Sequence, residues 1–245
     1  MPNEVYLSVI IPAYNEEKRL PKTLTEIDQY LRKQSYEYEI IVVNDGSKDK
    51  TEEVLKNHIS KIQNLKPINN KENHGKGYAV RQGMLEAAGE YRVFTDADNS
   101  TSIDQIEKMW PEFEKGFEAV IGSRDIKGAV IAVPQPWIRR RLGDIFNLIV
   151  QIISGMWGIW DTQCGFKGLT KKAIEEIFPK CKMDKFAFDV EILVIAKKLG
   201  YKIKEIPVTW INDPESKVNF KSMIDMLFEI LRIRINSILG VYEKN

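Results

Sequence analysis

Two carboxylates one residue apart, Asp96 and Asp98 in the stretch Thr95, Asp96, Ala97, Asp98, repel each other unless a cation lies beside them. A divalent ion bridging to a ligand diphosphate supplies that charge. Mg2+ or Mn2+ would take one or two carboxylate oxygens here and complete its shell with phosphate oxygens and water. The same residues also suit a helix cap, through Asp98 or Ser100. A second stretch, Asn44, Asp45, Gly46, Ser47, offers the Asp45 carboxylate to a nucleobase N–H, either uracil N3–H or guanine N1–H. Its residue types equally make a strand-to-helix turn. Residues 12–16, with Pro12, Tyr14 and Glu16, form a third such stretch. The fourth, Asn73 to Gly77, opens a helix around Lys76 and presents backbone N–H groups to an anion. It lacks the G-x-x-x-x-G-K-[ST] spacing of a phosphate loop, and G-x-G-x-x-G is missing from the chain, so an ATPase and a dinucleotide oxidoreductase are both disfavoured. The basic triplet Arg139, Arg140, Arg141 suits lipid headgroups or a phosphate.

Composition narrows the classes. The chain has 245 residues with 36 Lys+Arg against 35 Asp+Glu, so no bulk field draws in nucleic acid, and charge-driven binding must be local. Cys164 and Cys181 are too few for a disulfide framework, and two histidines, His58 and His74, are too few for a His-based metal centre. Any metal is then a hard ion on oxygen ligands. Pro2, Asn3 and Glu4 lead straight into an apolar run with no basic-then-apolar segment, which predicts a cytoplasmic chain in a reduced setting.

The elements that must position these residues alternate in type. Apolar runs at 5–11, 38–43, 65–69, 91–95 and 119–122 read as strands, and amphipathic stretches at 17–33, 49–62, 77–88 and 102–115 read as helices. That alternation predicts an α/β fold with a mostly parallel central sheet flanked by helices, and a ligand crevice at the strand C-terminal ends. The second half differs. Residues 145–160 predict a helix with a narrow polar stripe of Asn147, Gln151, Ser154 and Gly158, too short and too interrupted by Gly155 and Gly158 to span a bilayer. A second amphipathic helix is predicted over 220–239, with Ser222, Asp225, Glu229, Arg232 and Asn236 on its polar side. Their apolar faces suit core packing or a homo-oligomer interface; beside the basic triplet they favour a membrane surface.

Taken together, residues 12–16, 44–47, 73–77, 95–98 and Gly122, Ser123, Arg124 resemble the inverting nucleotide-sugar glycosyltransferases of family 2, built as a single GT-A-type domain. The resemblance runs from Leu7 to about Arg234. Residues 161–167, 188–191, 207–210 and Ser216, Lys217 resemble its polyprenyl-phosphate sugar transferases, on the dolichyl-phosphate glucosyl branch. The resemblance implies a donor-binding half over 1–128 and an acceptor-binding half with interfacial helices over 129–245. It implies that Pro12, Tyr14, Glu16 and Asp45 hold the nucleoside and that Asp96, Ala97 and Asp98 meet metal and diphosphate, with Lys76 and Lys217 near the donor. Arg124 and one of Arg139, Arg140 and Arg141 meet phosphates, while Asp161 and Gln163 belong to the catalytic set. The implied reaction moves glucose from UDP-glucose to a polyprenyl phosphate with inversion, aided by Mg2+ or Mn2+, at the cytoplasmic membrane face. The mannosyl branch carries an arginine in a longer loop after the aromatic matching Trp210; residues 211–215 are short and have none, which disfavours GDP-mannose. A polysaccharide acceptor, a catalytically inert sugar-nucleotide binding module and a nucleotidyltransferase are the rival readings.

Overall fold

The computed structural model describes residues 4–133, 137–212 and 220–243, and the side chains of residues 137–140, 142, 144 and 220–222 lie outside that description. A seven-stranded sheet runs through the molecule. It is built from β1 (Leu7–Ala13), β2 (Tyr38–Asp45), β3 (Leu65–Asn70), β4 (Tyr91–Thr95), β5 (Ala119–Ser123), β7 (Phe166–Thr170) and β8 (Ile203–Pro207), in the order β3-β2-β1-β4-β7-β5-β8. A separate two-stranded ribbon joins β6 (Val130–Ile131) to β9 (Thr209–Trp210).

All seven residues of β1 are buried, which is what a parallel strand covered on both faces requires. Alternate side chains feed two cores. Val9, Ile11 and Val42 join one with Leu20, Leu24 and Ile27 of α1 (Leu20–Leu31), while Ile10, Val43 and Phe94 join the other with Val80 and Met84 of α3 (Lys76–Glu86). The apolar positions of α1 fall at steps of four, three and four through Leu31, so a single stripe faces the sheet. The remaining helices are α2 (Thr51–Ile59), α4 (Trp110–Glu114), α5 (Trp137–Ser154), α6 (Lys171–Ile177), α7 (Phe188–Lys198) and α8 (Phe220–Ile238).

Two predicted helices are corrected. The stretch 102–115 divides into a 3-10 helix, Ile103–Lys108, and the short α4, because Pro111 sits in the first turn of the latter and cannot donate into a continuing helix. The helix expected over 145–160 starts earlier, at Trp137, and ends at Ser154, where Gly155 adopts φ +71° and terminates it.

The strand order places the chemistry. β1, β2 and β4 run parallel, so residues 14–16, Asp45 and Asp96 to Asp98 all emerge at one sheet edge. β7 enters antiparallel between β4 and β5, pairing Thr95 with Phe166, and so delivers the residues that precede it to that same edge. β5 and β8, parallel to each other, bring Arg124 and β9 there.

Candidate active site

A cavity of about 720 Å3 opens along that edge, lined by Pro12, Tyr14, Glu16, Asp45, Lys76, Asp96, Ala97, Asp98, Arg124 and Gln163 among others. Ten residues singled out in the sequence thus meet in one place. The exceptions are instructive.

The nucleoside end is built by loops that clamp each other. Asn15 takes φ +54°; its backbone N–H donates to Ser47 Oγ at 2.9 Å and its side-chain oxygen accepts from Lys48 N at 2.8 Å. Glu16 N donates to Thr51 Oγ1 at 2.8 Å, and the Glu16 carboxylate pairs with Arg19 at 2.6 Å. Asp45 is buried and does more than the turn chemistry predicted. Its Oδ2 accepts from Asn73 Nδ2 (3.1 Å), His74 N (3.0 Å) and Gly75 N (2.8 Å), and its Oδ1 from Asn70 Nδ2 (3.0 Å). Oδ2 is therefore saturated, and the expected nucleobase contact has only the remaining Oδ1 lone pair. The larger task of this carboxylate is to hold the 73–75 loop.

That loop delivers Lys76 to the first turn of α3, where Lys76 Nζ meets Asp96 Oδ1 at 2.6 Å. Burial alone would lower the lysine, but Asp96, Asp189 and Asp98 outweigh it and hold the ammonium above its ordinary pKa. Asp98 is pushed up by burial and by Asp96, against the Ser100 N–H that donates to it at 2.9 Å. Burial and Asp96 both disfavour the charge on Asp98, and a cation beside the pair would offset them. Among the described residues no group of three or more His, Cys, Asp or Glu side chains is placed to hold a metal. The available donor set is two hard oxygens on Asp96 and Asp98, suited to an ion that takes its other ligands from a diphosphate and water.

A second ion pair lies deeper. Lys167, fully buried, meets Asp189 Oδ1 at 2.5 Å, and Asp189 lines the cavity. Burial raises Asp189; Lys167 and Lys76 pull it back, and the balance stays above the ordinary range. Neither residue stands out as a candidate in the sequence, where Asp189 is one acid within an apolar helix. Gly165 is a further element of the site. A Cβ there would lie 2.1 Å from Asp96 Oδ2, so only glycine lets the chain entering β7 back this carboxylate.

Asp161 requires a correction. It does not line the cavity but is fully buried behind Arg124, accepting from Nε (2.7 Å), Nη2 (2.8 Å) and the backbone N–H (2.9 Å) of that residue. Burial would raise its pKa, yet the guanidinium holds it below the usual carboxylate range, as an anion engaged with Arg124. It positions Arg124, whose guanidinium also lies 5.5 Å from the centre of the Trp210 ring. Trp210 is fixed in turn by Ile211 N donating to Ser100 O at 2.9 Å. Arg139 and Arg140 lie in α5 with side chains outside the description, Arg141 is exposed, and Lys217 lies outside the described residues.

In α5 the predicted polar stripe is turned partly to the core: Gln151 and Ser154 are buried with Phe146 and Val150, and half-buried Asn147 donates to Asp125 at 3.1 Å; in α8 Met226, Ile230 and Ile233 are buried. Ile145, Leu148 and Ile152 of α5 are exposed, as are Ile224, Phe228, Leu231, Ile235 and Ile238 of α8, which packs beside it. Trp157 and Trp160 follow, each more than half exposed. No helix among the described residues is long and apolar enough to cross a membrane.

Comparison with known proteins follows this geometry. The family model described as Glycosyl transferase family 2 matches residues 8–178. A protein of Trichomonas vaginalis named dolichyl-phosphate beta-glucosyltransferase ALG5A is 39% identical, over 99% of this chain and 77% of its own length. The Homo sapiens dolichyl-phosphate beta-glucosyltransferase is 35% identical, over 96% of this chain and 77% of its own. Among solved structures, glucosyl-3-phosphoglycerate synthase from Mycobacterium tuberculosis, in complex with Mn2+, UDP and phosphoglyceric acid, superposes with a TM-score of 0.66 at 15% identity, covering 98% of this chain and 80% of its own.

Proposed function

Since the chain belongs to glycosyltransferase family 2, we propose that it transfers glucose from UDP-glucose to a polyprenyl phosphate of the dolichyl type, with inversion at the anomeric carbon. The relatives that carry the dolichyl-phosphate glucosyl name match it along nearly its whole length, which supports both the sugar and the acceptor. One observation of the site carries the chemistry: the acidic groups lining the cavity are already engaged. Glu16 is paired with Arg19, Asp45 with four donors, Asp96 with Lys76 and Asp189 with Lys167; Asp98 and the second oxygen of Asp96 are the donors for a metal, and among the described residues none of these carboxylates is offered as a general base.

A sugar hydroxyl would need such a base. A phosphate monoester does not, because its second pKa of about 6 leaves it largely dianionic at neutral pH. The reaction is then a single displacement. An acceptor phosphate oxygen forms a bond to the anomeric carbon as the bond from that carbon to the UDP oxygen breaks, and no proton changes place. Asp96 and Asp98 would hold Mg2+ or Mn2+; when bound, the ion neutralises charge on the departing diphosphate. Lys76 adds fixed positive charge on the donor side, while the amides of His74, Gly75, Gly77 and Tyr78 around it are already taken by Asp45, Lys185 O and Asp184 O. Arg124, held in orientation by Asp161, presents its guanidinium to phosphate, and the resemblance adds Arg139, Arg140, Arg141 and Lys217 to the phosphate-binding set.

In the same reading the enzyme sits peripherally on the cytoplasmic face of the membrane that carries its lipid. The exposed faces of α5 and α8, with Trp157 and Trp160 beside them, support that surface: indole rings suit the boundary between apolar and wet environments. Thermal shift with Mn2+ and UDP-glucose, UDP-galactose, UDP-N-acetylglucosamine or GDP-mannose tests the donor. UDP-glucose at about 100 times its Kd stabilises by about 2.7 kcal/mol; a shift with GDP-mannose and none with UDP-glucose overturns the assignment.

A further inference from the structure

Residues 188–191 hold two acids, and the site uses only one. Asp189 faces the cavity; Glu191, two residues on and about 200° round α7, is fully buried elsewhere. It accepts from Lys182 N at 2.9 Å, Met183 N at 2.8 Å and the Tyr242 hydroxyl at 2.7 Å. Tyr242 comes from just beyond α8. Gly240 at φ +75°, with Val241 N donating to Asn236 O at 3.0 Å, turns the chain back and buries the tyrosine ring completely. Asn236 Nδ2 donates to its hydroxyl at 3.2 Å, and Lys180 Nζ holds the Glu243 carbonyl at 2.9 Å.

The peptides that Glu191 holds lead directly into the donor site. Asp184 O and Lys185 O accept from Tyr78 N (3.1 Å) and Gly77 N (3.2 Å), the amides that follow Lys76 at the head of α3. The two segments touch so closely that a Cβ on Gly75 would lie 2.4 Å from Asp184 O, and one on Gly77 2.6 Å from Met183 O. Arg81 of α3 fastens them further, reaching Asp184 Oδ1 at 2.7 Å and Cys181 O at 3.2 Å. Lys185 and Phe186 then line the cavity.

We infer that Tyr242 and Glu191 are positioning residues of the donor site: the C-terminal turn locks residues 182–186, and that segment sets the head of α3 and Lys76. The inference rests on the cavity being a nucleotide-sugar site. Burial favours the neutral form of Glu191, and its three donors oppose that. Removing the tyrosine hydroxyl weakens the carboxylate as an anchor for the 182–183 peptides without touching any group that meets the donor.

Tyr242→Phe and Glu191→Gln in the full chain test this with two readouts: site-resolved amide hydrogen exchange, and UDP affinity by calorimetry with Mn2+. The expected result for Tyr242→Phe is faster exchange at Met183, Gly77 and Tyr78, with the β1 and β2 amides unchanged, and UDP affinity weaker by about threefold to tenfold. The double variant should bind UDP no more weakly than Glu191→Gln alone, because both act through one segment. Wild-type UDP affinity and wild-type exchange at Gly77 and Tyr78 would overturn the inference. So would uniformly faster exchange across the sheet, which would make the turn a general stabiliser. Should Tyr242→Phe not fold, Glu191→Gln gives the same two outcomes. If the wild-type chain binds no UDP, the functional reading falls by itself, and exchange at Gly77 and Tyr78 still decides the positioning role.

Discussion

Asp98 is a half-buried carboxylate and Asp161 a fully buried one, and their surroundings drive them in opposite directions. Asp98 is raised by burial and by Asp96, so it gains from a metal; Asp161, despite burial, is held low by Arg124 and gains nothing from one. Asp98→Asn should therefore keep the fold and the melting temperature while lowering kcat by about 10²–10³, the loss that follows when one stabilising group is taken from a developing charge. Steady-state kinetics with and without EDTA check this, and full activity in either condition removes the metal from Asp98. Asp161→Asn should act on stability. It leaves the half-buried Arg124 guanidinium without its counter-charge, a loss of about 3 kcal/mol in denaturant unfolding, the lower end for a buried pair. The sign with pH follows from the lowered pKa. The native contribution of Asp161 is complete above the unfolded carboxylate value of about 3.9 and fades as pH falls toward the lower folded value. Wild type should thus lose stability below pH about 4 more steeply than the variant. The partner of Asp161 could not be read from the sequence, because it lies 37 residues away at the end of the adjacent strand β5.

At the scale of elements, β7 and the pair α5 and α8 decide most. β7 runs against its neighbours, and the residues entering it pass Asp96 closely enough that Gly165→Ala must displace that carboxylate. We expect Gly165→Ala to raise the Mn2+ concentration needed for half-maximal rate several-fold while the donor Kd measured without metal stays near that of wild type; an unchanged metal titration would show that the strand start yields instead. The apolar faces of α5 and α8 make a different prediction. Ile152 and Phe228 are 55% and 67% exposed, so replacing each with Asp should change stability by no more than about 0.5 kcal/mol. Vesicle sedimentation of the double variant should show it released from lipid that retains the wild type, and equal retention would return these faces to a dimer. The strands of the first half were legible because runs such as 7–11 and 38–43 are apolar but for Ser8 and Glu39, which hydrogen-bond to each other, as double-sided burial demands. β8, Ile203–Pro207, was not, since Lys204 and Glu205 interrupt its five residues; nor was the inward turn of Gln151 and Ser154, because a stripe shows that a helix has two faces without telling which one the molecule covers.

Across the whole molecule, one sheet edge gathers residues from nearly every part of the chain: Tyr14, Asp45, Lys76, Asp96, Arg124, Gln163, Asp189 and Met226 line a single cavity. Their meeting could be anticipated for the first four, which follow parallel strands or open a helix beside them. It could not for Met226, on a helix read as amphipathic and facing a membrane surface, nor for Asp189, whose segment 188–191 stood out only through the family resemblance. In the proposed reaction this cavity passes glucose to a lipid phosphate with no proton taken up or lost, and the product itself reports it. With UDP-glucose labelled at the anomeric carbon, a polyprenyl phosphate and Mn2+, carbon and phosphorus NMR should show one product, a β-linked glucosyl phosphate with the label coupled to a single phosphorus, formed as UDP is released. A product with retained configuration, or glucose attached to a hydroxyl with no carbon–phosphorus coupling, would contradict the claim.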